Sequence, residues 1–120
     1  MVDLEICKLF AGLPAGDLEQ LKQSAHVLSF PAAYQIFKEG DRGDGLYLVR
    51  EGQVQISAVI GQDERRILTR IGPGDFFGEM AVLDNAPRSA SALTEEPSTL
   101  YFIPSPDLLE ALDHSPRLAV

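Results

Sequence analysis

Apolar residues change their spacing twice along this chain. Over residues 3–26 they recur at helical intervals: Leu4, Ile6, Leu9 and Phe10 form one cluster, Gly12-Leu13-Pro14 interrupts it, and Leu18, Leu21 and Ala25 follow, with Asp17, Glu19, Gln20 and Lys22 turned outward. Pro14 through Asp17 suits a helix start with acid in its first turn. From Val27 to Ile103 short runs of Val, Ile, Leu, Phe and Tyr alternate with Gly, Asp and Pro, which predicts strands over 27–30, 35–38, 45–50, 53–59, 64–70, 90–94 and 98–103. Turn signals separate them: Phe30-Pro31, the run from Glu39 to Asp44, Glu51-Gly52, Gly61-Gln62-Asp63, Gly72-Pro73-Gly74-Asp75 and Glu95-Glu96-Pro97. Gly78 through Leu83 reads instead as one or two helical turns set inside strand sequence. After Pro104 the helical spacing returns, with Ser105 as cap, Pro106 at the first helical position and Leu108, Leu109 and Leu112 on one face. His114-Ser115-Pro116 ends that helix, and Arg117 through Val120 begins another.

Many short strands at even spacing predict a mainly β fold with flanking helices, a sandwich or jelly-roll-like barrel. A chain of 120 residues holds one core, so a single domain over 1–120 is expected: helical over 3–26, β over 27–103 and helical over 104–120. Hydrophobic content of 45% and charged content of 23% are those of a globular protein. No apolar run approaches the roughly 18 residues that cross a bilayer, and no charged segment precedes an apolar one in the manner of a signal peptide. Cys7 is the single cysteine, which rules out an intramolecular disulfide framework and any metal site built from several cysteines. A cytoplasmic location is the expectation. The net charge of −8, from 10 basic and 18 acidic residues, argues against direct nucleic-acid binding. It also means that any anion must be held by a few local groups, such as one buried arginine and the N–H groups of a helix start.

The run from Gly72 to Ala92 supplies such groups. It sets Glu79 directly after Gly78 and, nine residues later, Arg88 directly after Pro87, with a short and mostly apolar segment between. A carboxylate accepts hydroxyl hydrogen bonds, and a guanidinium forks onto a phosphate. A ligand carrying both a free hydroxyl and a compact phosphate satisfies both groups. The segment resembles the phosphate-binding cassette of the cyclic nucleotide-binding domain family, which runs roughly Phe-Gly-Glu-x-Ala, five variable residues, then Pro-Arg-x-Ala. Other stretches resemble the same family in order: Leu9-Phe10-Ala11-Gly12-Leu13, Ile36 through Asp41, Asp44 through Val49, Glu51-Gly52-Gln53-Val54, and Gly72-x-Gly74-Asp75-x-x-Gly78-Glu79.

The resemblance implies a β-roll, a double-stranded β-helix of jelly-roll type, with an N-terminal helical segment, a short helix in the cassette (72–92) and C-terminal helices. It implies a regulatory sensor, not an enzyme, that binds a 3′,5′-cyclic nucleotide, cAMP ahead of cGMP, with no cofactor and no metal. Arg88 would take the phosphate and Glu79 the ribose 2′-hydroxyl. Gly78 would let the backbone approach the sugar. Met80 and Ala81, with Val82, would turn N–H groups to the phosphate, and Ala81 would keep that approach short. Ser89 would bond a phosphate oxygen or a guanine 2-amino group; Ala or Ser here leans to cAMP, Thr to cGMP. Ile56, Leu68 and Thr69 would face the purine, and Ser91 is either structural or base-facing. One departure is Ala32-Ala33-Tyr34, where the family commonly has glycine; a positive φ there would cost on the order of 1 kcal/mol.

Other function classes fit less well. A metalloenzyme on a similar roll needs clustered histidines, and His26 and His114 lie at opposite ends of the chain. A haem or iron–sulfur sensor lacks ligands for the same reason. Hydrolysis of a nucleotide would need a carboxylate pair for Mg²⁺, for which Asp75 and Glu79 are a weak match; Asp75 reads as a turn-capping residue. The remaining alternative is a ligand-independent docking or dimerisation domain, against which an intact Glu79 and Arg88 argue. The expected partners are the cyclic nucleotide and an effector, in a longer chain or in a separate protein, with a homodimer left open and no membrane insertion. The chain stops where a lid helix would begin, so the lid is expected from a longer chain or from a partner.

Overall fold

A computed structural model describes residues 14–62, 64–78 and 86–113. The apolar cluster Leu4 to Phe10, the helical turns after Gly78 and the segment from His114 onward lie outside these residues. The elements run α1 (Ala15–Ser24), β1 (His26–Phe30), β2 (Gln35–Phe37), β3 (Gly45–Glu51), β4 (Val54–Ile60), β5 (Glu64–Ile71), β6 (Phe76–Phe77), β7 (Ser91–Thr94), β8 (Ser98–Pro104) and α2 (Ser105–Asp113). The strands form two four-stranded antiparallel sheets, ordered β1-β8-β3-β6 and β2-β7-β4-β5. This is the mainly β roll with flanking helices that the sequence predicts.

β3 explains how the layers meet. Its sequence Gly-Leu-Tyr-Leu-Val is apolar throughout, and all five residues are buried. It pairs with β8 on one side and β6 on the other. Because strand side chains alternate between faces, Leu46 and Leu48 turn to one side, where they pack with Leu21 of α1, Ile103 of β8 and Leu108 of α2. Tyr47 and Val49 turn to the other, between the sheets, with Val54, Phe77, Ala92 and Leu100. The molecule therefore has a helix-side core and an inter-sheet core that share β3 and β8.

α1 starts at Pro14, whose carbonyl accepts the Leu18 N–H at 3.1 Å, and Leu21 is its buried anchor. In α2 the predicted shared face divides: Leu108 is fully buried and Leu109 is exposed, as neighbours about 100° apart on a helix must be. Ser105 uses its N–H on the Asp44 carbonyl at 2.9 Å, while its hydroxyl lies 3.4 Å from the Gly43 carbonyl. The turn before β2 does carry a positive φ on a non-glycine residue: Ala33 has φ 61. It is held by Ala33 N–H to Thr94 O at 2.8 Å and by the Thr94 hydroxyl, which donates to Pro31 O at 2.6 Å and accepts the Tyr34 N–H at 2.8 Å.

Candidate ligand-binding site

A cavity of about 220 Å³ opens between the sheets. Its walls are apolar: Phe37 from β2, Ile56 from β4, Ile71 from β5, and Phe76 and Phe77 from β6. Its polar boundary is Thr69, Gly78, Arg88 and Ser89, with Ala90 beside them.

Arg88 is the centre of this boundary. Its side chain is only 2% exposed. Nη1 donates to the Gly78 carbonyl at 2.7 Å, and Nη2 donates to the Gly45 carbonyl at 2.8 Å and to Asp44 Oδ1 at 3.1 Å. Nε is buried with no hydrogen-bond partner among the described residues. The guanidinium carbon sits 4.3 Å from the centroid of the Phe37 ring, a cation–π distance. Asp44 is 69% exposed, so the one counter-charge among the described residues lies on the solvent side and is screened. A buried guanidinium with a spare donor and a screened counter-ion is suited to take an anion.

The backbone holds Arg88 in place. Its N–H donates to Asp41 O at 2.7 Å and its carbonyl accepts Gly40 N–H at 2.8 Å. Asp41 Oδ2 in turn accepts the Lys38 N–H at 2.9 Å, which fixes the loop between β2 and β3. That loop is the Gly-Asp-rich run read as a turn; its role in clamping Arg88 has no signature in sequence, because the partners lie more than forty residues away.

Gly78 is required twice over. Its φ is +87, and a Cβ there would come within 2.5 Å of Arg88 Nη1. The glycine thus lets its own carbonyl and the guanidinium meet. Gly45 is constrained similarly, since a Cβ would meet the Ile103 carbonyl and the Phe102 ring within 2.6 Å.

Of the residues singled out in the sequence, the structure brings together Ile56, Thr69, Gly78, Arg88 and Ser89. Leu68 is not among the lining residues. β4 and β5 pair Ile56 with Thr69 and then Ser57 with Ile67, so Leu68 is the extra residue of a bulge and is 53% exposed. Glu79, Met80 and Ala81 lie outside the described residues. Ser91 is buried, and its hydroxyl accepts the Glu39 N–H at 2.9 Å, a structural role. Phe37, Ile71, Phe76, Phe77 and Ala90 line the cavity without having been singled out; the paired aromatics directly before Gly78 were the available signal. No group of three or more His, Cys, Asp or Glu residues among the described residues is placed to hold a metal ion. No described helix is long and apolar enough to cross a membrane.

A family profile described as cyclic nucleotide-binding domain matches residues 27–115. The chain is 34% identical over 111 residues to the Cyclic AMP receptor protein of Thermus thermophilus, covering 92% of this chain and 51% of that protein. It is 34% identical over 86 residues to the CRP-like cAMP-activated global transcriptional regulator of Mycobacterium tuberculosis, covering 72% and 38% respectively. Among solved structures, the regulatory domain of Toxoplasma gondii PKA with cAMP matches with a TM-score of 0.88 at 29% identity, over 96% of this chain and 44% of that one. The chain spans at most about half the length of these curated relatives.

Proposed function

This chain belongs to the cyclic nucleotide-binding domain family, and on that premise we propose that it binds a 3′,5′-cyclic nucleotide, cAMP ahead of cGMP, and passes the binding event to an effector. The observation that carries this reading is Arg88: a buried guanidinium at the polar edge of an apolar-walled cavity, with an Nε that has no hydrogen-bond partner among the described residues. A cyclic phosphate supplies the anion, and a purine supplies the apolar face that Ile56 and its neighbours lack. In this reading Arg88 takes the phosphate, helped by Ser89 and by the N–H groups of Met80 and Ala81. Glu79 accepts the ribose hydroxyl directly after Gly78. Ile56 and Thr69 face the base, and Leu68 has no part in that wall. The module performs no chemistry of its own and works in the cytoplasm as one domain of a longer protein, or on a partner or a second copy of itself.

One observation favours a second reading. Arg88 already spends three donations on Gly78, Gly45 and Asp44, which a purely structural arginine in a docking domain would also do. Thermal unfolding with cAMP, cGMP and 5′-AMP separates the two. A ligand present at about 100 times its Kd adds roughly 2.7 kcal/mol and raises Tm. A rise with cAMP that exceeds the rise with cGMP, and none with 5′-AMP, is expected; identical Tm values in all three would favour the docking domain.

A further inference from the structure

The outer face of the second sheet carries a groove separate from the cavity. It encloses about 730 Å³, and none of its lining residues lines the cavity. β4 divides the two: Ile56 faces the cavity and its neighbour Ser57 faces the groove, as alternation along a strand requires. β7 follows the same rule, with Ala92 in the inter-sheet core and Ser91 in the groove.

Ser57 and Ser91 form the floor. They are partners across the β4–β7 pairing, and each is only 3% exposed although it stands on the outward face of the sheet. The Ser57 hydroxyl accepts from Arg65 Nη1 at 2.9 Å, and the Ser91 hydroxyl accepts the Glu39 N–H at 2.9 Å. Neither hydroxyl donates to a described residue. Each has one O–H to give, and burial without an acceptor is unfavourable. Both protons therefore await an acceptor in the groove.

The lips are cationic, with Lys38 just after β2 and Arg65 on β5. Neither is in an ion pair among the described residues, whereas Arg66 and Arg70 on the same strand lie against Glu64 and Glu95. The Ser57 hydroxyl instead orders the Arg65 guanidinium over the floor, which lowers the cost of binding. In a chain of net charge −8, two cations without carboxylates beside two spare hydroxyl donors suit an acidic ligand. Glu39 narrows the class. Its Oε1 accepts the Val59 N–H at 3.1 Å, which fixes a negative charge beside the strand partner of Arg65. A compact polyanion meets that carboxylate and is repelled, whereas an extended segment can space its own carboxylates around it.

We propose that this groove takes an acidic peptide segment of a protein partner, with carboxylates on Arg65, Lys38 and the two serine hydroxyls. The proposal stands apart from the cyclic-nucleotide reading, and the failure of one leaves the other in place. The test is a titration of the full chain with an acetylated hexaglutamate peptide, followed by backbone amide NMR. Saturable shifts at Glu39, Ser57, Val59 and Ser91 are expected. Arg65→Gln and Lys38→Gln should each weaken binding by about threefold, the size of an exposed ion pair. Arg70→Gln, whose guanidinium Glu95 already holds, should leave it unchanged. Both lip side chains are exposed, and the same spectra report whether each variant is folded. Salt offers a reading that needs no variant: affinity should fall as sodium chloride rises. No saturable shift at millimolar peptide, shifts scattered over the basic surface, or an affinity indifferent to salt or to both lip variants would overturn the proposal. So would the same shifts from inorganic phosphate at equal concentration, which would make the groove a general anion site.

Discussion

β3 and β5 are strands of seven and eight residues, Gly45–Glu51 and Glu64–Ile71, and they have opposite fates. β3 is paired on both edges and buried on both faces over Gly45 to Val49. β5 ends its sheet, is exposed from Glu64 to Arg70, and carries Ile67 and Leu68 at 42% and 53% exposure. Both serve the cavity. β3 supplies the Gly45 carbonyl that fixes Arg88 and the Tyr47 ring beside it. β5 supplies Thr69 and Ile71 as one wall. The difference teaches how the labour is divided. Charge, which tolerates little misplacement, is anchored on the most constrained strand of the fold, whereas the part of the cavity wall that β5 supplies stands on a sheet edge.

The comparison can be broken first at its core. Leu48 is fully buried between β3 and the helices, so Leu48→Ala should cost about 2–5 kcal/mol of folding stability, read by urea unfolding. A loss below about 1 kcal/mol would mean that β3 is not the constrained member of the pair.

Arg88→Ala comes next and acts on binding. Removing a charge-assisted contact should weaken cAMP affinity by roughly 1.5–3 kcal/mol, about 10- to 100-fold, in competition binding with a fluorescent cAMP analogue. An unchanged affinity would separate Arg88 from the ligand and leave it a structural residue.

Tyr47 sharpens the picture through pH. Burial, and secondarily the Asp44 carboxylate, push its phenol from 10.0 up to about 12. The unfolded chain loses this proton near pH 10 while the folded chain still holds it. The stability linked to the phenol is therefore intact below pH 10 and is lost as pH rises from about 10 to about 12. At pH 11 the loss amounts to about 1 kcal/mol relative to pH 8. Tyr47→Phe should unfold with a shallower alkaline decline by about that amount, and a decline as steep as wild type would show that the phenol is not shielded.

The smallest effects lie away from β3. Ala33, with its positive φ, should be relieved by Ala33→Gly, with a net gain of about 0.5 kcal/mol once the glycine's greater unfolded-state freedom is offset. Leu68→Ala on the exposed bulge should change stability by no more than about 0.5 kcal/mol. A cost above about 2 kcal/mol at Leu68 would contradict its placement outside the core.

Much of this architecture was legible in the sequence because alternation and turn residues are local signals. The strand bounds fall within one or two residues of those read from the pattern. β6 escaped because two aromatic residues between turn signals are too short to alternate. Leu68 misled because a bulge slips the alternation by one residue, and that slip is invisible without the partner strand. The cassette order pointed to Gly78 and Arg88, which the structure brings together at the cavity, and the missing glycine at Ala33 marked a turn with a positive φ. What sequence could not carry is the network around Arg88. Asp44 and Gly45 reach it only through the fold, and the Gly78 carbonyl comes from the backbone, on which residue identity is silent.

Isothermal titration of the purified chain with cAMP tests the binding claim most directly. Saturable one-to-one heat is the expected result. No heat from protein that is demonstrably folded would contradict it, and would leave Arg88 as a buried brace in a docking domain.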